Sequence, residues 1–215
     1  MNAYNDLMQK VDGSTPPKSK VLGIGGSPRK GGNSDIVLKN ILKGVSDKEI
    51  ITGRLHLKDF QFQGCIGCER CRKDKICTGL KDGMSLIYPD IIESRGLVLV
   101  SPTHNYNVTS WMKAFIDRLY CFYEFDDNRP RGWSSRLAGQ QRKAVIAVIC
   151  EQENKVDMGF TLDAMRLPLE ALGYEIVGEL PVFSIFDKAK VKENSEVLAK
   201  ANELGFHLAD CLSAR

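Results

Sequence analysis

Four cysteines, Cys65, Cys68, Cys71 and Cys77, fall within thirteen residues. Two-residue gaps let successive thiolates converge on one centre, and four thiolates satisfy a 4Fe–4S cube. Arg70, Arg72, Lys73 and Lys75 outnumber Glu69 and Asp74 around them. Positive charge favours the thiolate form and offsets an anionic cluster. Zinc is the rival metal, although structural zinc sites usually pair two cysteine knuckles across a longer spacer. Thiols without any metal are the third option. Cys121, Cys150 and Cys211 read as small apolar residues in the core or on a helix face.

The second chemical feature is Gly25-Gly26-Ser27-Pro28-Arg29-Lys30-Gly31-Gly32-Asn33-Ser34. Glycines let backbone approach a ligand closely, and a helix start offers free N–H groups and the positive end of a dipole. Ser27, Asn33 and Ser34 add neutral donors and Arg29 a charge. The segment lacks the Gly-Lys-Ser/Thr ending of a nucleotide-triphosphate loop, and Pro28 stands where a dinucleotide fingerprint continues toward its third glycine. A phosphomonoester such as that of FMN fits; the bland alternative is a Gly-rich turn that binds nothing.

These segments need a scaffold. Residues 20–24 read as a short buried strand, followed by a helix over 33–45 with Leu38, Ile41, Leu42 and Val45 at helical spacing and Asn33 or Ser34 as its cap. Residues 49–57 read as a second strand. The cysteine segment, 60–80, has no clear period. A helix over 82–94, with Asp82 as cap, is weakened by Pro89. Strand 97–101 and helix 110–120 follow, the latter with Trp111, Phe115 and Leu119 on one face. Residues 122–141 read as a long irregular loop. Strand 143–149, helix 161–172 stopped by Gly173, strand 175–180 and helix 190–212 complete the chain. Strands and helices alternate five times, which implies a doubly wound α/β fold: a five-stranded parallel sheet with helices on both faces. Ligands of such sheets bind at the carboxyl ends of the strands, where loops 25–34, 102–107 and 150–159 fall. Residues 1–18 read as a flexible leader and 19–215 as a single domain.

Composition narrows the function. The 215 residues carry a net charge of only +3, and Lys and Arg are interleaved with Asp and Glu, which argues against a nucleic-acid reader. The longest apolar run, 144–150, is far short of the about 20 residues a membrane helix needs. The start of the chain lacks the apolar core of a signal peptide. The expected location is the cytoplasm, where crowded cysteines suggest a metal or redox centre before disulfides.

Gly25-Gly26-Ser27-Pro28-Arg29 with Asn33-Ser34 resembles the FMN phosphate loop of the NADPH-dependent FMN reductase superfamily, which is flavodoxin-like. Asp82-Gly83-Met84 is similar to that family's helix start. Ser101-Pro102-Thr103-His104-Asn105-Tyr106-Asn107, followed by Lys113-Ala114-Phe115-Ile116-Asp117-Arg118, is similar to its second flavin loop and the helix after it. The resemblance implies FMN held by Ser27, Pro28, Arg29, Gly32, Asn33 and Ser34. It also implies that Pro102, Thr103, His104, Asn105, Tyr106 and Asn107 lie against the flavin ring. Backbone N–H groups there would stabilise the charge of reduced flavin. His104 reads equally as a solvent-facing loop histidine.

The compact cysteine run resembles the iron–sulfur flavoprotein branch. That implies a 4Fe–4S cluster on Cys65, Cys68, Cys71 and Cys77 and a homodimer or homotetramer. The stretch 120–125 would then cap a neighbour's flavin, or else belong to the core. The third loop departs from the family: Glu151 and Glu153 stand where relatives often have glycines. Carboxylates there either point to water or hinder flavin reduction and repel an anionic nicotinamide.

Three functions remain. The first is an electron-transfer flavoprotein with FMN and a cluster, taking electrons from a carrier such as ferredoxin and passing them to a small-molecule acceptor. The second is an NAD(P)H-dependent FMN or quinone reductase without a cluster. The third is a non-enzymatic flavodoxin-like interaction or sensor protein.

Overall fold

The computed structural model describes residues 20–214; the leader expected over 1–18 lies outside the described residues. Five strands form one parallel sheet: β1 (Lys20–Gly25), β2 (Ile51–His56), β3 (Gly96–Pro102), β6 (Arg142–Ile149) and β7 (Tyr174–Val182), in the order β2-β1-β3-β6-β7. The chain runs from β1 outward to β2, then crosses back and continues outward through β3. The point where the direction reverses lies between β1 and β3, and a crevice forms there at their carboxyl ends.

Both faces of the sheet are buried, so its central strands are apolar throughout rather than alternating. Leu22, Ile24, Leu97, Leu99, Ala144, Ile146 and Val148 point to one face. There they meet α3 (Met84–Glu93), α4 (Ser110–Arg118) and α6 (Asp163–Ala171). Val21, Val98, Val100, Val145, Ala147 and Ile149 point to the other, against α1 (Asn33–Ser46) and α7 (Ser195–Ser213). The sheet-and-helix alternation is the expected one.

The details differ in several places. α1 is capped by Gly32, not by Asn33 or Ser34, and that cap makes no side-chain hydrogen bond. Pro89 sits inside α3, which persists because Met84, Ile87, Tyr88 and Ile91 are buried in the core. In α4 the buried face is Met112, Phe115 and Ile116, whereas Trp111 is 37% exposed. The helix expected over 161–172 is α6, and a short α5 (Lys155–Met158) stands before it within the loop expected over 150–159. Residues 122–141 are not irregular throughout: β4 (Tyr123–Phe125) and β5 (Trp133–Ser135) pair as an antiparallel ribbon. Tyr120 stacks on Phe125, and Tyr123 packs edge-on against Trp133. With Cys121 and Phe122 buried, the stretch 120–125 packs within its own chain.

Candidate functional site

The loop after β1 is shaped by close packing. A Cβ on Gly26 would lie 3.0 Å from Met112 Cε and 3.3 Å from Thr109 Oγ1, so only glycine fits comfortably. Gly31 adopts a positive φ of 68°, a backbone region that favours glycine, and its N–H donates to Asp35 Oδ2 at 3.1 Å. The first N–H groups of α1 have no intrahelical acceptor, and the Gly32 cap supplies no side-chain substitute. An anion is therefore welcome at this helix start.

The loop after β3 folds as a tight turn. His104 and Asn107 exchange backbone hydrogen bonds of 2.8 and 3.1 Å, and Asn105 and Tyr106 carry φ of 50° and 64°. Two successive left-handed residues are the signature of a type I′ turn, where Asn is favoured. The Tyr106 carbonyl accepts from the Phe160 N–H at 2.8 Å, which ties this turn to the segment after α5.

The two loops meet around a cavity of about 110 Å³. Ser27, Pro28, Arg29, Asn33, Ser34, Pro102, Thr103 and His104 all line it. Gly32, Asn105, Tyr106 and Asn107 are not among its walls; Tyr106 is 57% exposed. Four wall residues were not anticipated as binding residues: Ile149, Glu151, Ile185 and Phe186. Ile185 and Phe186 belong to the loop after β7, a carboxyl-end loop not counted from the sequence. Arg29 stacks on Phe186 at 4.6 Å and donates to its carbonyl at 3.1 Å. Asn33 donates to Asp187 O at 2.9 Å and accepts from Val191 N at 3.1 Å. These two side chains thus fasten the fourth loop to the first.

The cysteine segment, the crossover from β2 to α3, forms a separate cavity of about 250 Å³. Cys65, Cys68, Cys71 and Cys77 all line it, with Arg118 and Tyr120 from beyond the segment. The segment contains one short helix, α2 (Arg70–Asp74). Among the described residues, no group of three or more His, Cys, Asp or Glu side chains is gathered closely enough to hold a single metal ion.

The surrounding basic residues do not lower the Cys71 thiol. Burial, followed by the influence of Cys77, Cys65 and Cys68, pushes it up to about 11. The cause is visible in the pairing. Arg72 is turned to Glu69 and Asp127, and Lys75 to Glu124. The ribbon β4–β5 thereby clamps the cysteine segment from outside, and Arg136 donates to Lys75 O at 2.7 Å.

Arg118, at the end of α4, is 2% exposed. It makes a two-pronged pair with Asp82, at 2.7 and 3.1 Å, and donates to Gln63 O at 2.9 Å. Burial raises the Asp82 carboxyl, but the Arg118 hydrogen bond and charge, together with the hydrogen bonds from the Gln63 and Met84 N–H groups, hold it below the usual carboxylate range. Asp82 Oδ1 also accepts from Met84 N at 3.1 Å. The N-cap of α3 is Gly83, not Asp82 as expected; Asp82, one residue earlier, meets the first N–H of the helix while anchoring Arg118.

The sequence profile of NADPH-dependent FMN reductases matches residues 19–149. An iron–sulfur flavoprotein of Archaeoglobus fulgidus is 28% identical over 196 residues, covering 91% of this chain and 81% of that protein. A second iron–sulfur flavoprotein, from Methanocaldococcus jannaschii, is 32% identical over 99 residues, which span 46% of this chain and about half, 51%, of that protein. Among solved structures, the NAD(P)H:quinone oxidoreductase of Methanothermobacter marburgensis superposes with a TM-score of 0.67 over 88% of this chain and 98% of its own, at 16% identity. No helix of the described residues is long and apolar enough to cross a membrane. With its profile match, its flavodoxin-like sheet and an anion-ready loop at the β1–β3 crevice, the chain belongs to the NADPH-dependent FMN reductase family of flavin-dependent oxidoreductases.

Proposed function

We propose that this FMN-binding oxidoreductase is an electron-transfer flavoprotein that also carries a 4Fe–4S cluster on Cys65, Cys68, Cys71 and Cys77. The observation that carries the proposal is the single cavity of about 250 Å³ walled by all four cysteines together with a buried guanidinium. Each thiolate of a cubane binds a different iron, so its sulfurs stand farther apart than around one zinc. A shared cavity walled by all four thiols offers room for a group larger than one ion. Bound FMN would supply one- and two-electron chemistry, and the cluster one-electron chemistry.

The chain's own residues hold and insulate these groups. The α1 start and Ser27 would receive the FMN phosphate, and Arg29 and Asn33 close the loop after β7 over it. Pro102, Thr103 and His104 form the opposite wall. Glu151 lines the same cavity; its carboxylate opposes a build-up of negative charge on the flavin and repels a nicotinamide phosphate. That favours a one-electron protein carrier such as ferredoxin as donor and a small acceptor such as dioxygen, peroxide or a quinone. The exposed Tyr106, Phe160 and Phe186 side chains support a subunit contact in a homodimer or homotetramer.

The test is the absorption spectrum of protein purified without oxygen, with iron and sulfide assays. Flavin bands with a broad shoulder and about four irons per chain are expected. Flavin bands without iron would overturn the cluster and leave an NAD(P)H-dependent reductase, a reading that the raised Cys71 thiol favours; rapid bleaching of the flavin by NADPH would then support it. Light scattering that shows a monomer would refute the oligomer.

A further inference from the structure

We infer that the Asp82–Arg118 pair sets the reduction potential of the cysteine-held centre: Arg118 favours its reduced, more negative form and Asp82 tempers that effect. The inference rests on the proposal that a cluster occupies the cysteine cavity.

Among the described residues, Arg118 is the sole cation in the walls of that cavity. Its side chain is 1% exposed, so water screens its charge poorly. Of the other basic residues nearby, the buried Arg136 is engaged by Glu124 and the Lys75 carbonyl outside the cavity wall, and Arg72, Lys75 and Arg131 are partly exposed and turned to Glu69, Asp127 and Glu124. Such surface pairs project little field inward.

Arg118 is also incompletely satisfied. Its terminal nitrogens are bound by Asp82 and Gln63, but its buried Nε–H has no hydrogen-bond partner. A buried donor without an acceptor is uncommon in folded proteins and calls for an explanation. A thiolate- and sulfide-rich anion in the adjoining cavity would supply one. One-electron reduction adds a negative charge to that anion without forming or breaking a bond in the protein, so a fixed nearby cation stabilises the product more than the reactant. The Asp82 carboxylate, held 2.7 Å from Arg118, subtracts from the field.

The two partners therefore make opposite predictions, which a purely structural pair would not. The whole protein is prepared without oxygen as wild type, Arg118→Met, Arg118→Lys and Asp82→Asn. Iron per chain is measured, and cluster and flavin potentials are titrated by electron paramagnetic resonance and absorption. Arg118→Met is expected to lower the cluster potential by at least a tenfold change in its equilibrium constant, ~59 mV for a one-electron couple. Asp82→Asn, which keeps an amide oxygen to accept from the Met84 N–H, is expected to raise it. Arg118→Lys stays near wild type. The flavin potential does not move, because neither residue lines the flavin cavity.

Iron-loaded variants with unchanged cluster potentials, or with both shifts of the same sign, would overturn the inference and leave the proposed function standing. Wild-type protein without iron would overturn both. If Arg118→Met fails to fold, Asp82→Asn still decides the sign.

Discussion

The Thr109 hydroxyl donates to the carbonyl oxygen of Gly26 at 2.7 Å and accepts from the N–H of Met112 at 3.2 Å. One fully buried side chain thus caps α4 and joins the loop after β3 to the loop after β1. The loops that wall the cavity of about 110 Å³ share this fastening.

Replacing Thr109 by Val keeps the shape and removes the hydroxyl. The N-cap loss costs about 0.5–2 kcal/mol, and the stranded Gly26 carbonyl adds about 1–3 kcal/mol. We expect a total near ~3 kcal/mol in urea unfolding and weaker FMN binding in fluorescence titration. Thr109→Ser should recover most of both. Equal FMN affinity in Thr109→Val would show that the loops are held by other contacts.

Two glycines lock α1 to α7. A Cβ on Gly44 would overlap the Asn202 carbonyl, and one on Gly205 the Ile41 carbonyl. Both obstacles are backbone and cannot swing aside. Gly205→Ala should cost about 3 kcal/mol, the upper end for overpacking. Gly31→Ala meets no atom within 4 Å but inherits a φ of 68°, a strain of about 1–2 kcal/mol. Denaturant midpoints should therefore rank Gly31→Ala above Gly205→Ala; the reverse order would show that the helices can separate without loss.

Arg142 is 1% exposed and donates to the carbonyls of Ile91, Ile92 and Ser94, to Gln140 Oε1 and to the Tyr174 hydroxyl, all at 2.7–3.0 Å. It receives the open carbonyls at the end of α3, where a cation suits the helix dipole. Arg142→Met would strand several buried acceptors, and we expect a loss of roughly 3–5 kcal/mol. The flavin spectrum of the folded fraction should be unchanged, since Arg142 lies at the amino end of β6. A loss under 1 kcal/mol in chemical denaturation would contradict this assignment.

The succession of strands and helices and the loops after β1 and β3 were legible because glycines, a helix start and apolar runs are local signals. Ser27, Asn33, Pro102 and Thr103 fell into one cavity as expected. Phe186 did not announce itself, because its role depends on the return of the loop after β7 to Arg29, a contact 157 residues away in sequence. The charged run around Cys71 misled for the same reason: Arg72 and Lys75 found partners in the β4–β5 ribbon, and Arg118, distant in sequence, reached the cavity instead. The ribbon itself was hidden because its strands are three residues each, too short to show a period of two.

His56 lies beside Gly25 at the start of the loop after β1, its Nε2 3.1 Å from Asp35 Oδ1. Burial lowers its pKa below the ordinary histidine value of 6.5, and the opposing pull of Asp35 does not restore it; Arg54 adds to the lowering, while Asp59 and Lys58 act weakly in opposite senses. Between the folded value and the unfolded one, the unfolded chain binds more protons, so folding stability rises with pH across that window. Acidification below about 6.5 should therefore weaken the fold by the His56 contribution. His56→Gln removes the titrating group. The stability gap between wild type and His56→Gln, measured by urea unfolding, should be constant above pH 7.5 and should narrow steadily toward pH 5. A gap that stayed constant over the whole range would mean that His56 titrates alike in both states, and that its contact with Asp35 fully offsets its burial.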